Sequence, residues 1–158
     1  MRTSLLRLAG TAVAAGALAI APTGTAFAAA NTQLAGLLSP DTSASCQGDP
    51  GALVAYTVEG SLQGCWYVDT FVLDTQATSG AFLSHGTETF IGSLDGRTGS
   101  FRTTYVFTGK DVGDVETHGR CHHPISDGTG ELAGITGILE MKDLPNGCST
   151  YKGHVSFG

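Results

Sequence analysis

From residue 52 onward the chain is a series of short runs in which apolar and polar residues alternate. Alternation sends successive side chains to opposite faces of a strand, so it predicts half-buried β-structure. The runs cover 52–59, 65–75, 80–94, 100–108, 115–125, 131–141 and 149–157. The second is dense in strand-forming residues, with Trp66, Tyr67, Val68, Phe71 and Val72. Asp95-Gly96 predicts a two-residue type I′ hairpin between the third and fourth runs. Further reversals are predicted at 127–130 and at Pro145-Asn146-Gly147. Beyond the first 30 residues no segment has an amphipathic helical period, and glycine recurs too often for long helices. The pattern predicts an all-β domain, as a small closed antiparallel barrel or a β-sandwich. Closure removes unpaired sheet edges. Glycines inside the runs, at 86, 92, 134 and 137, suit the bends of a curved sheet.

The same alternation sorts candidate site residues by face. In the third run Phe82, Ser84, Gly86, Glu88 and Phe90 share one face. In the fourth, Phe101, Thr103, Tyr105 and Phe107 share one, and Arg102 lies opposite them. In the fifth, Glu116, His118, Arg120 and His122 share one face, with Gly119, Cys121 and His123 on the other. Two aromatic faces side by side predict an apolar interior with Glu88 and Tyr105 as its polar handles. The ionisable face of the fifth run either meets solvent or lines a polar mouth.

Composition adds a compartment. Residues 1–30 have basic Arg2 and Arg7, an apolar stretch from Thr11 to Ala21 and small residues at Ala26-Phe27-Ala28. This is the pattern of a secretory leader, so the protein is expected to be secreted and extracellular. An irregular lead-in at 31–51 and a single domain at 52–158 are expected to follow. The leader holds two of the eight basic residues and none of the fourteen acidic ones, so the remainder has a formal charge of −8. That excludes a nucleic-acid backbone as partner and argues against docking on anionic lipid or stable membrane insertion. Four cysteines after a leader predict two disulfides, and spacing favours Cys46–Cys65 and Cys121–Cys148.

Two segments carry a family resemblance. They are GTETFIGSLDGRTGSFRTTYVFTG at 86–109 and GTGELAGITGILEM at 128–141. Together they are similar to a poorly characterised bacterial family with a calycin-like barrel, related in shape to allene oxide cyclase. The resemblance implies a barrel that binds a small apolar or amphipathic molecule, with cyclase or isomerase chemistry as an extension. The alternative is a disulfide-stapled extracellular protein that binds or inhibits another protein.

On the first reading Glu88, Tyr105 and His118 are the candidate catalytic residues. Glu88 would exchange a proton, Tyr105 would donate to a ligand oxygen and His118 would relay protons. Phe90, Phe107, Arg120, His122 and Arg102 are candidate ligand contacts, with a guanidinium receiving a carboxylate. No metal or other cofactor is expected. Cys121-His122-His123 is too compact to close on one ion, and His118 and His122 stand ~13 Å apart along a strand. There is no G-x-S-x-G elbow for a serine nucleophile.

Overall fold

The computed structural model describes residues 31–46, 51–113 and 115–158, with the backbone alone at Val115. The leader expected at 1–30 lies outside the described residues. Eight strands follow one another: β1 (Thr32–Pro40), β2 (Val54–Gly60), β3 (Leu62–Gln76), β4 (Ala81–Leu94), β5 (Arg97–Val112), β6 (Val115–Gly130), β7 (Ile135–Asp143) and β8 (Ser149–Phe157). Each pairs antiparallel with its neighbours in sequence, and β8 returns to β1 from Thr32↔Val155 to Leu38↔Ser149.

Residues 32–40, expected to be irregular, thus form β1. Their period-2 signal is Leu34 and Leu38, both buried on one face. With no β-branched residue between them, local propensity is weak, and long-range pairing to β2 and β8 makes the strand. The Asp95-Gly96 hairpin forms as predicted, with positive φ at both residues (49° and 79°).

The eight strands are unequal. β3 to β6 run 14–16 residues, whereas β1, β2, β7 and β8 run 7–9. β2 covers β3 only from Gly64 to Val68, and β7 covers β6 only from Arg120 to Ile125. All eight strands therefore meet at one end. At the other, β3–β6 project as a curved four-stranded sheet, by the eight residues 69–76 or ~27 Å on β3.

The expected small closed barrel, calycin-like or allene-oxide-cyclase-like with two disulfides, is corrected accordingly. The molecule is an all-β ring-like sheet with one long side and a single disulfide.

That disulfide is Cys46–Cys65. It ties the segment after β1 to the outer face of β3. The Asp41 carboxylate fixes the same segment by accepting from the backbone N–H groups of Cys46 (2.7 Å) and Ser45 (3.1 Å). Cys121 and Cys148 are free thiols. Cys121 faces the interior across from Met141, whereas Cys148 lies in the β7–β8 turn with its Sγ 3.6 Å from Ser39 Oγ on β1.

The core fills the end where all strands meet. Trp66 is packed by Phe90 (ring centroids 6.2 Å apart) and edge-on by Phe101 (5.9 Å), and Phe90 stacks on Phe101 at 4.9 Å. Leu62, Leu94, Leu132, Ile135, Leu139 and Val155 surround them, each at most 1% exposed. Among the described residues no helix is long and apolar enough to cross a membrane.

Two outcomes are expected. Phe90→Ala should cost about 3–5 kcal/mol in denaturant unfolding, because a fully buried ring leaves a cavity its packed neighbours cannot fill. Peptide mapping without reduction should recover Cys46 joined to Cys65, with Cys121 and Cys148 alkylated as thiols; a Cys121–Cys148 peptide would contradict this arrangement. Reduction of the one bridge should cost about 3 kcal/mol through loop entropy.

Candidate functional site

Above the aromatic core, the inner faces of the long strands enclose a cavity of about 510 Å³ that opens at the projecting end. β4 supplies Phe82, Ser84 and Glu88, β5 supplies Tyr105, Phe107 and Asp111, and β6 supplies Glu116, Cys121 and His123. Trp66 lines it from β3, Tyr56 from β2, and Asp143 and Ser149 stand at the β7–β8 end.

Strand parity explains most of this lining. On β4 and β5 the alternation continues unbroken from core to mouth, and Glu88 stands opposite Thr103. Glycines hollow the wall where rings must lie across it. At Gly86 a Cβ would come within 2.6 Å of the Tyr105 ring, and at Gly119 within 2.2 Å of Phe107. Tyr105 lies across β4 there and donates its hydroxyl to the Thr70 carbonyl at 3.2 Å.

Glu116 reaches the cavity by a different route. Alternation groups it with His118 on the outer face. The ladder, however, pairs Lys110 with His118 and Asp111 with Glu116, so Thr117 is an extra residue on β6. This bulge, held by Thr117 Oγ1 donating to the Lys110 carbonyl at 3.0 Å, turns Glu116 inward. It joins Asp111 and Asp143 at the mouth. Burial, a hydrogen bond with Asp143, and the charges of Asp143 and Asp111 raise its carboxyl to about 7. Ser149 in turn donates to Asp143.

Deeper in, His123 Nε2 lies 2.9 Å from Glu88 Oε2, with His123 fully buried and Glu88 nearly so. Neither atom completes a well-directed hydrogen bond, and His123 Nδ1, Trp66 Nε1 and Ser84 Oγ have no hydrogen-bond partner among the described residues. His123 is held edge-on to Trp66 (centroids 5.7 Å apart, interplanar angle 83°) and beside Tyr105 (5.9 Å). Burial first, and then the nearby Glu88, push the Tyr105 hydroxyl and the Cys121 thiol well above their ordinary pKa ranges, so both stay protonated. A buried neutral thiol is a poor nucleophile.

The structure brings Glu88, Tyr105 and Phe107 together in the cavity and leaves the other expected site residues outside it. Phe90 is fully buried in the core beneath. His118 is exposed, with Nδ1 3.2 Å from Thr117 Oγ1. Arg102 points outward, 4.0 Å from Asp69. Arg120 is exposed on the outer face between β5 and β7, opposite Lys142, and His122 contacts Glu140 at 2.7 Å on that same face. The fifth run's ionisable face is therefore a solvated face for His118, Arg120 and His122.

These placements overturn the expected barrel pocket in which guanidinium and imidazole groups receive an apolar or amphipathic ligand, together with its cyclase or isomerase chemistry. The guanidinium and imidazole groups meant to receive and process it lie outside the cavity. The lining instead holds four carboxylates, unpartnered buried polar atoms and no lysine or arginine. The alternative of a doubly stapled interaction or inhibitor protein loses one of its two staples. Among the described residues, no three His, Cys, Asp or Glu side chains converge closely enough to hold a metal ion.

No protein-family model and no curated protein matches the chain. Among solved structures it is similar to a protein of unknown function from the DUF3224 family of Shewanella oneidensis MR-1. The TM-score is 0.52 at 24% identity, over 82% of this chain and 98% of that one. The likeness is one of fold, and it replaces the calycin-like and allene-oxide-cyclase-like resemblance drawn from residues 86–109 and 128–141.

Proposed function

We propose that the cavity receives a small organic cation, a protonated amine carried on a compact aromatic or aliphatic body. The observation that carries this reading is the convergence of Asp111, Glu116 and Asp143 on a mouth whose lining has no cationic side chain. Three carboxylates crowded on one opening repel one another, and a bound ammonium relieves that repulsion. The walls suit such a guest: the rings of Tyr56, Tyr105, Phe82 and Phe107 line the cavity and cover its apolar body. The field of an acidic protein draws cations toward the opening. The leader pattern at 1–30 and the Cys46–Cys65 bridge support placing this activity outside the cytoplasm, where disulfides persist.

Trp66 is the only tryptophan and lines the cavity, so its fluorescence reports occupancy directly. Phenethylamine should perturb the emission and give a saturable heat in calorimetry, whereas 3-phenylpropanoate, of the same shape with a carboxylate for the amine, should do neither. Glu116→Gln combined with Asp143→Asn should weaken amine binding about tenfold or more. Equal binding of the acid and the amine, or no binding of the amine, ends the proposal.

The pH dependence has a definite sign. Glu116 holds its proton below about 7, and an incoming ammonium favours the ionised carboxylate. Binding therefore releases a proton below pH 7 and should weaken as pH falls from 8 to 6, by up to about tenfold per unit once below the Glu116 midpoint. Phenethylamine remains protonated throughout. In Glu116→Gln the profile should flatten.

A further inference from the structure

The outer surface of β6–β8 carries the opposite charge from the mouth. Three of the six lysines and arginines that follow the leader, Arg120, Lys142 and Lys152, line one surface groove of about 510 Å³ there, together with Thr150 and Glu140. The sheet register makes this grouping. Arg120 stands directly opposite Lys142, and Lys142 opposite Thr150, so the three form a row across β6, β7 and β8. His122, Glu140 and Lys152 form the next row. All six residues are exposed. Residues directly opposite on antiparallel strands have Cβ atoms about 5 Å apart, and like charges so placed destabilise a sheet. Among the described residues, Arg120, Lys142 and Lys152 make no ion pair. Glu140, the groove's one carboxylate, is held by His122 at 2.7 Å. The groove therefore keeps two positive charges in excess, on a protein whose net charge is negative.

We infer that this groove binds the dianion of a phosphate monoester. Two negative charges match the excess. The planar fork of Arg120 can take two phosphate oxygens at once, and the ammonium groups of Lys142 and Lys152 add compact charges beside it. Thr150 Oγ1 lies 3.4 Å from the Lys142 carbonyl, longer than an ordinary O–H···O bond, so its hydroxyl is free to turn to a phosphate oxygen. A monocarboxylate would leave one cation uncompensated. A long polyanion or an anionic membrane would meet the field of the whole chain, which is acidic, whereas a small ester engages the groove alone. Cys121 and Met141, which alternate with these residues, line the cavity on the other side of the sheet. The groove is thus a second site, independent of the amine reading.

Phenyl phosphate, a dianion at pH 8, tests this against benzoate, which has the same ring and one charge. In low-salt buffer free of inorganic phosphate, calorimetry should give saturable binding of phenyl phosphate, about fivefold tighter or more than benzoate. Amide NMR shifts should move at Arg120, Lys142, Thr150 and Lys152, while the Trp66 indole signal stays in place. Arg120→Gln combined with Lys142→Gln should weaken binding about tenfold or more. Without ligand, that variant should unfold at the same temperature as the wild type or higher, because the opposed like charges are gone. Arg120→Lys keeps the charge and loses the fork, and should weaken binding about threefold. Arg102→Gln, a cation elsewhere on the outer surface, should bind as the wild type does. Vesicles containing phosphatidylglycerol should not retain the protein. Absent or benzoate-like binding of phenyl phosphate overturns the inference. So does binding undiminished in both Arg120 variants, a shift confined to cavity residues, or retention on vesicles in place of binding to the soluble ester.

Discussion

The organisation of this molecule depends on a mismatch of length between four long strands and four short ones. A ring of equal strands would fill its interior with side chains from end to end. Here β1, β2, β7 and β8 stop about halfway along β3–β6, so only one end has enough inward-facing side chains to pack. The aromatic group of Trp66, Phe90 and Phe101 closes that end. Beyond it the inward rows of β4 and β5 continue with nothing directly opposite. The result is a cavity with a dense apolar floor, aromatic walls and a mouth at the tips of the strands. Polar side chains on those tips escape full desolvation, which is why the carboxylates gather there.

The legible and illegible parts of the site follow from the same geometry. Strand parity is local and regular on β4 and β5, so Glu88, Tyr105 and Phe107 were readable as neighbours on one inner face, and Arg102 as an outsider. Parity fails wherever a ladder gains a residue. The extra Thr117 reverses the orientation of Glu116 relative to His118, and nothing in the alternation of the sequence marks it. A weak clue exists in the adjacent Asp111 and Glu116 flanking a tight turn, but like charges at a hairpin are ordinary. His123 was assigned to the correct face yet passed over, because its meaning comes from Glu88 on a strand two places away. β1 was hidden by composition: two leucines, small residues and a proline signal a strand only when β2 and β8 are in place to pair with it. The second disulfide failed for a tertiary reason, since sequence spacing says nothing of Cys121 facing inward while Cys148 sits in a turn.

The electrostatics of the cavity are layered. At the mouth, carboxylates share a proton and stand ready to exchange it for another cation. Inside, burial keeps Tyr105 and Cys121 protonated, so neither adds negative charge to the wall. The carboxylate–imidazole contact of Glu88 and His123 lies deepest and borders the aromatic floor. The wall therefore carries three carboxylates at its mouth and one at depth, which gives an elongated cationic guest a preferred direction of entry.

The pairing of β1 with β8 has a kinetic consequence. Residues 32 and 155 are direct partners, so the contact that completes the ring joins the first described strand to the last. Until Ser149–Phe157 has been synthesised, β1 and β7 each present an open edge, and loop closure over more than a hundred residues must precede the final pairing. Long-range closure of this kind is slow. Nascent or truncated chains consequently pass through a state with two adhesive borders, and the short terminal strand is what turns a sheet able to recruit other chains into a self-contained one.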